Sequence, residues 1–485
     1  MNKRMIFYML SQLIKTEALF MVLPMTAAII YGEWNAMFSF IITIVSALVF
    51  GFVLSIVSKP KDKIIYAHDG FVMVALSWLA LSFIGALPFV ISGEIPSFTD
   101  AFFETVSGFT TTGSSIVTNI EGLTHGILFW RSFTHWLGGM GVLVFVMAVI
   151  PSMTDRSMHI LRAEMPGPVV GKLVPRAKQT AKILYLIYIA FTLAEIILLW
   201  AGGMDLFDSL VHTFGTAGTG GLGIRSNSIA GYSPYSQWVI TVFMALFGVN
   251  FNLYYLLLIK RFKEVLKSRE LWCYASIMIF SAVTVAINIY PLYNDVSLTA
   301  RNAAFQVSSI MTTTGFSTVD FNLWPVYSKS LLLILMFIGG CAGSTAGGLK
   351  VSRIVITFKL IRREIKHLVH PREVSKVRME GKTVDEETLN SVSNYFMLYM
   401  IILFLSFLLV SLMGDYDFET NFTSVVACFN NIGPGFGKIV GPAGNYAGFT
   451  DGAKYVLSLA MLLGRLEIYP LLMTVSLSAW KRNRA

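Results

Sequence analysis

Four short stretches have the composition of a cation site. They are Thr110-Thr111-Thr112-Gly113-Ser114-Ser115, Gly218-Thr219-Gly220-Gly221, Thr312-Thr313-Thr314-Gly315-Phe316-Ser317 and Asn430-Asn431-Ile432-Gly433-Pro434-Gly435. So much Gly and Thr makes a poor helix interior. Strips of extended backbone converging on one axis can aim carbonyl oxygens inward and replace the water shell of a small cation. Gly permits such a turn because it tolerates positive φ, and Thr hydroxyls add further oxygens. The expected ligand set is Thr111, Thr112 and Gly113; Gly218, Thr219 and Gly220; Thr313, Thr314 and Gly315; Asn431, Ile432 and Gly433. On this reading Gly113, Gly220, Gly315 and Gly433 are equivalent, preceded by Thr112, Thr219, Thr314 and Ile432. One Gly/Thr run would be an ordinary loop. Four in matching contexts, spaced by roughly a hundred residues, are the mark of a repeat architecture.

A fifth stretch, Ile338-Gly339-Gly340-Cys341-Ala342-Gly343-Ser344-Thr345-Ala346-Gly347-Gly348-Leu349-Lys350, interrupts an apolar run. It is not a phosphate-binding loop, because Leu349 separates Gly348 from Lys350 and no strand precedes it. Close helix packing through small residues is one reading. The density of Gly favours another, an unwound segment beneath the strips whose residues absorb a hinge motion. Arg465 lies in the last apolar run, where a buried cation is costly and needs a cavity or a partner. Either Glu467 pairs with it, or it faces the pore below the strips. Glu195, in another apolar run, reads as a packing residue.

Composition decides where these residues are held. Of 485 residues, 55% are hydrophobic and only 13% charged, against about 25% charged in a soluble domain. Apolar runs of about 20 residues recur, long enough to cross a hydrocarbon core of roughly 30 Å. The chain is polytopic. Its net charge of +9 is concentrated around 59–63, 156–182, 260–269, 350–382 and 481–484. The segments between lean acidic, with Glu94, Asp100, Glu104 and Glu121, then Asp205 and Asp208, then Asp415, Asp417 and Glu419. By the positive-inside rule the basic loops and both termini are cytoplasmic. The acidic outer face would raise the local concentration of cations. Cys273, Cys341 and Cys428 are too far apart for a metal motif and read as packing residues. The basic start, Met1-Asn2-Lys3-Arg4, lacks a convincing cleavage site and reads as the start of a retained helix.

The expected order begins with two apolar helices, 8–31 and 36–58. A unit of span, short amphipathic helix, strip and span then appears four times. The first spans are 71–92, 181–202, 271–291 and 391–413. The short helices are 98–110, 205–215, 298–311 and 417–429. The second spans are 126–151, 236–259, a segment from 329, and 453–479. Asp100, Asp205, and Asp417 with Glu419 suit the positive ends of the short helices, whose opposite ends point at the strips. Each unit crosses twice, so the copies share one orientation and their axis lies along the membrane normal. The fold class that follows is an all-α membrane protein: four span–pore-helix–span repeats around a pseudo-fourfold pore, preceded by two extra transmembrane helices. The boundaries are 1–66 for the helix pair, 67–160, 161–268, 269–385 (with the Gly-rich loop) and 386–485 for the repeats.

This pattern resembles the Trk/Ktr/HKT superfamily of potassium transport proteins, and within it the TrkH type, over nearly the whole chain. Phe109-Thr110-Thr111-Thr112-Gly113-Ser114, Thr219-Gly220-Gly221, Thr312-Thr313-Thr314-Gly315-Phe316-Ser317 and Asn430-Asn431-Ile432-Gly433-Pro434-Gly435 carry the resemblance, with the two additional N-terminal helices. It implies one filter glycine per repeat and K+ as the transported ion, with Rb+ accepted. Plant members that carry sodium have Ser at the first of these positions, so Gly113 implies potassium selectivity. It further implies a gate made of Gly339, Gly340, Gly343, Ser344, Thr345, Gly347, Gly348 and Lys350, with Arg465 regulating passage beneath the filter. The partners implied are a second copy of the chain, each copy with its own pore, and a cytoplasmic RCK-type, TrkA-like ring that binds nucleotide. The location implied is the bacterial plasma (cell inner) membrane.

Other classes fit less well. An ion-coupled (H+ or Na+) potassium secondary transporter is the alternative, but it predicts mid-membrane carboxylate pairs and inverted repeats. An enzyme would need a catalytic or metal constellation, and His125 and His135 match no ligand set. A voltage-gated channel would need an Arg-rich sensor helix. The basic stretch Lys359–Lys366 suits anionic membrane lipid. No nucleic-acid partner is expected.

Overall fold

The computed structural model describes residues 1–60, 67–141, 177–373 and 375–476. The basic stretches at 61–63, 156–176 and 481–484, the ends of the spans expected at 142–151 and 477–479, and the boundary at 160 lie outside the described residues. The rest is a helical membrane protein of four repeats, with two helical spans before them. Lys3–Ile30 and Trp34–Val57 form the N-terminal pair. His68–Ser92, Ala181–Ala201, Arg269–Tyr293 and Glu386–Met413 are the first spans of the four repeats. Their outward faces carry exposed apolar residues, such as Phe50, Phe52, Ile287 and Leu412, as a hydrocarbon solvent demands.

Four short helices follow those spans: Phe98–Phe109, Leu206–Gly218, Val296–Met311 and Phe418–Phe429, of 12, 13, 16 and 12 residues. None is long enough to cross. Ser97 caps the first by accepting from the Asp100 N–H, and Asp417 caps the fourth through Thr420. Asp205 stands at the N-cap of the second. The third is capped by Asp295, which accepts from the Leu298 N–H at 3.0 Å. The Ser97, Asp295 and Asp417 side chains satisfy backbone donors that a helix start leaves open, whereas Asp205 makes no such side-chain bond.

After each strip comes a second helix: His125–Gly139, Pro234–Phe247, Val326–Ile338 and Asp451–Arg465. Each packs against the pore helix of the next repeat, and the last packs against the first. That cyclic contact closes the four repeats into a ring.

The second helices depart from the continuous spans expected at 236–259 and 453–479. Pro234–Phe247 and Phe251–Leu258 meet at 91°, and Asp451–Arg465 and Tyr469–Val475 at 119°. At the first bend Asn250 restarts the helix, its side chain accepting from the Asn252 N–H at 2.9 Å. At the second, Glu467 and Ile468 both take positive φ. Hydropathy sees neither break, because each bent pair taken together is still apolar enough to read as one span, despite Asn250 at the first break and Arg465 and Glu467 at the second. A short antiparallel ladder, Arg378↔Thr383 and Met379↔Lys382, lies between the third and fourth repeats. Its turn residue Glu380 accepts from the N–H groups of Arg269 and Glu270 at 3.0 and 3.2 Å, capping the third repeat's first span.

Candidate ion pore

All four pore helices end in the same way. The residue past the end is left-handed in each: Thr111, Thr219, Thr313 and Asn431, with φ of 55°, 57°, 58° and 56°. The next N–H reaches back into the helix: Thr112 to the Ser107 carbonyl, Gly220 to Gly215, Thr314 to Ser309 and Ile432 to Ala427, at 2.8–2.9 Å. This is the Schellman closure of a helix C-terminus. Thr in the left-handed region is strained, and strain of about 1–3 kcal/mol survives only where the surroundings impose it. One residue further on stands a glycine of positive φ: Gly113 (83°), Gly221 (70°), Gly315 (85°) and Gly433 (101°).

The second strip therefore departs from the expected register by one residue. Gly221, not Gly220, is equivalent to Gly113, and Gly218 aligns with Thr110 in the last turn of the helix. The equivalent triplets are Thr111-Thr112-Gly113, Thr219-Gly220-Gly221, Thr313-Thr314-Gly315 and Asn431-Ile432-Gly433. A count from the helix caps would have found this, since Ser97 to Gly113, Asp205 to Gly221 and Asp417 to Gly433 are equally spaced. The adjacent glycines hid the shift.

The strips touch in a closed cycle. A Cβ added to Gly113 would lie 2.0 Å from the Gly220 carbonyl oxygen. One on Gly221 would lie 2.0 Å from that of Thr314, and one on Gly315 2.0 Å from that of Ile432. One on Gly433 would lie 2.8 Å from that of Thr112. Each glycine thus leaves room for the carbonyl preceding the glycine of the next strip, and the fourth returns to the first. The fourth contact is looser. There Tyr446 and Ser114 both donate to the Gly433 carbonyl at 3.0 Å, and Pro434 follows the glycine. Behind the strips, Asn431 donates to the Thr112 hydroxyl at 3.0 Å and to the Met461 carbonyl at 2.9 Å.

Arg131, which sequence reading passed over, and Glu104 and His135, which it noted in other connections, brace the ring. Arg131 donates to Glu104 at 2.5 Å, to the Gly223 carbonyl at 2.8 Å and to the Ser115 hydroxyl at 3.0 Å. Glu104 also accepts from the Ile116 N–H at 2.9 Å. This buried pair ties the first strip's exit to the second's, and its lone pairs are met, as buried charge requires. His135, on the His125–Gly139 helix, is fully buried against Gly220.

The Gly-rich segment lies between Val326–Ile338 and Val351–Val369 and is unwound. Gly339, Gly343, Gly348 and Lys350 all take positive φ. The segment meets the strips: the Gly347 N–H donates to the Thr313 hydroxyl at 2.6 Å, and a Cβ on Gly347 would lie 2.4 Å from the Asn430 carbonyl oxygen. Its flanks are pinned. Glu270 accepts from the N–H groups of Ala342 (2.7 Å) and Ser352 (3.2 Å). The Gly248 carbonyl accepts from Cys341, and the Gly343 carbonyl from Phe251. Gly340 accepts from the Val351 N–H. Ser344 donates to the Cys341 carbonyl at 2.6 Å, and Lys350 to that of Ala346. Thr345 reaches the Phe247 carbonyl at 3.3 Å.

Arg465 donates to the Thr345 carbonyl and to those of Gly138 and Gly139, all at 2.7 Å. It links the segment to the end of the first repeat's second helix. Glu467 pairs elsewhere. Arg353 donates to it at 3.0 Å while lying 4.1 Å over the Tyr395 ring. The positive φ of Glu467 and Ile468 ends the helix between Arg465 and Glu467 and turns the carboxylate toward Arg353. Glu195 is fully buried in the second repeat's first span.

The family described as TrkH, cation transport protein, matches residues 36–481. The chain belongs to the TrkH family. The Trk system potassium uptake protein TrkH of Escherichia coli K12 is 38% identical over 468 residues, 95% of this chain and 96% of that protein. The protein of the same name from Vibrio parahaemolyticus is 34% identical over 99% of this chain and all of its own. The crystal structure of the potassium transporter TrkH from Vibrio parahaemolyticus superposes with a TM-score of 0.89 at 32% identity, covering 99% of this chain and all of that one. A TrkH-family chain is a membrane transport protein and not an enzyme. Its four repeats agree with that solved fold.

Proposed function

We propose that this chain is a potassium uptake protein through which K+, and Rb+, permeate passively and electrogenically. The ions pass a filter of one glycine per repeat, lined by Thr111–Gly113, Thr219–Gly221, Thr313–Gly315 and Asn431–Gly433. The observation that carries this reading is the closed cycle of glycine-to-carbonyl contacts among four like-shaped strips. Oxygens fixed around one axis compensate a dehydrated monovalent cation. The names of the relatives above supply potassium as that cation. The pore-helix carbonyl ends face the same centre and add a favourable field.

The segment 339–350 acts as the gate. It sits against Thr313 and Asn430 on the side of the filter where the second helices break, and Arg465 holds it through Thr345. A passing cation meets the Arg465 charge, which lowers conductance. A cytoplasmic TrkA-like nucleotide-binding ring biases this segment, an allosteric coupling in the strict sense of two sites and two states. The chain works as a homodimer in the bacterial plasma membrane, each copy with its own pore and both termini cytoplasmic. An ion-coupled carrier is the competing mechanism.

Flux from liposomes carrying the purified chain tests the reading. The expected result is electrogenic flux that follows the potassium gradient alone, with rubidium accepted and sodium disfavoured. Uptake that stops when a proton or sodium gradient is collapsed would replace the pore by a coupled carrier.

A further inference from the structure

Three strips carry a side chain at the position before the filter glycine: Thr112, Thr314 and Ile432. All three are fully buried. The second strip has Gly220 there, and its conformation does not explain why. Gly220 is absent from the residues of positive φ, unlike Gly221 beside it. Space explains it. A Cβ on Gly220 would stand 2.0 Å from Nδ1 of His135, 2.4 Å from Cε1 and 2.5 Å from Cγ. Against His135, Gly218 is as tight, with 2.2 Å from its added Cβ to the His135 carbonyl oxygen. The imidazole fills the volume that the strip's own side chain fills in the other three repeats. It comes from the second helix of the preceding repeat, the helix that carries Arg131 to the Gly223 carbonyl and presents Gly138 and Gly139 to Arg465. Neither ring nitrogen has a hydrogen-bond partner among the described residues, so packing holds the ring.

We infer that His135 is a positioning residue of the filter. By wedging behind Gly220 it sets where the Gly220 carbonyl stands in the oxygen ring, and so sets part of the cation specificity from outside the strip. The inference rests on the four strips being the filter. Interiors are close-packed, and a void next to a backbone lets it relax. A relaxed strip moves one of four oxygens and favours a cation of different size.

The test is a double-mutant cycle on the full-length chain in liposomes, read as the ratio of potassium to sodium flux, with Gly315→Ser as a reference for the filter itself. His135→Ala should lower the ratio at least about fivefold, the factor that one kcal/mol of misplacement gives. Gly220→Thr should lower it as much, through collision with the ring. The double variant His135→Ala with Gly220→Thr rebuilds the arrangement of the first and third strips and should recover most of the ratio. A double variant no better than the worse single one overturns the inference. So does His135→Ala with an unchanged ratio. If His135→Ala does not fold, Gly220→Ala decides, since its Cβ alone meets the ring, and a parental ratio there overturns the inference. If Gly315→Ser shifts the ratio and the cycle does not, the filter stands and the wedge fails. If Gly315→Ser also leaves the ratio untouched, the filter reading is what has failed.

Discussion

The two halves of the proposed pore differ in kind. Above, the four strips nearly superpose in conformation, with a left-handed residue, an ordinary one and a positive-φ glycine in each. Below, the four second helices end in four different ways. His125–Gly139 stops with its last carbonyls on Arg465. The second bends by 91° at 248–250, the third gives way to the Gly-rich segment, and the fourth turns by 119° at 466–468. Equivalent oxygens around one ion require equivalent backbones, so coordination enforces likeness. A gate needs one element able to move against others that do not, so regulation tolerates difference. On this view selectivity belongs to the upper half and its control to the lower.

The largest expected effect comes from breaking the likeness above. Gly315→Ser places a Cβ 2.0 Å from the Ile432 carbonyl on backbone of φ 85°. Strain of about 1–3 kcal/mol at such a position should cut the potassium-to-sodium flux ratio by about tenfold or more. A smaller, different effect should follow below. Gly343→Leu with Gly347→Leu should change flux and its regulation and leave the ratio intact. Overpacking by about 1–3 kcal/mol is enough to move a gate equilibrium roughly fivefold or more. An altered ratio in that variant would erase the division between the halves.

Arg465→Gln sharpens the same comparison. It removes a charge below the proposed filter and its hold on the Thr345 carbonyl. Single-channel or flux measurements should show conductance up by about two- to fivefold, the scale of an on-the-order-of 1 kcal/mol repulsion in a partly aqueous site, at constant selectivity. The smallest effect lies outside the pore. Glu121 accepts from the Ser226 N–H at 2.7 Å and from its hydroxyl, and the hydroxyl bond is the main reason its carboxyl titrates below the ordinary glutamate range. A depressed folded value means the contact stabilises above the ordinary value and is lost as pH falls through the folded one. Glu121→Gln should therefore lower thermal stability slightly at neutral pH, by less than about 1 kcal/mol at so exposed a site. It should match the parent in acid.

Much of this was legible in the residues. The pore helices were readable because Asp100, Asp205 and Asp417 mark their starts and the Gly/Thr strips their ends. Position 315 and its counterparts at 113 and 433 were readable as isolated glycines after polar or apolar neighbours. The second strip was not, because Gly220 and Gly221 adjoin and only the backbone distinguishes them. Asp295 escaped notice since its helix is longer than the other three. Arg465 was visible as a charge out of place, but Glu467 gave no sign that it belonged to Arg353, which lies in a different repeat. Each bent pair is still apolar enough overall to read as one span, so both bends were invisible.

The amino-acid order alone therefore settled the membrane class, the four repeats, the strips and the loop at 339–350. Those are local properties: runs of apolar residues, helix caps, and glycines where a chain must leave the helix. The tertiary structure decided which glycine of an adjacent pair takes positive φ, which carboxylate meets which guanidinium, and that an imidazole from one repeat completes the strip of the next. Such choices depend on contacts between segments far apart in the chain, and a linear pattern carries no record of which atoms will compete for the same space.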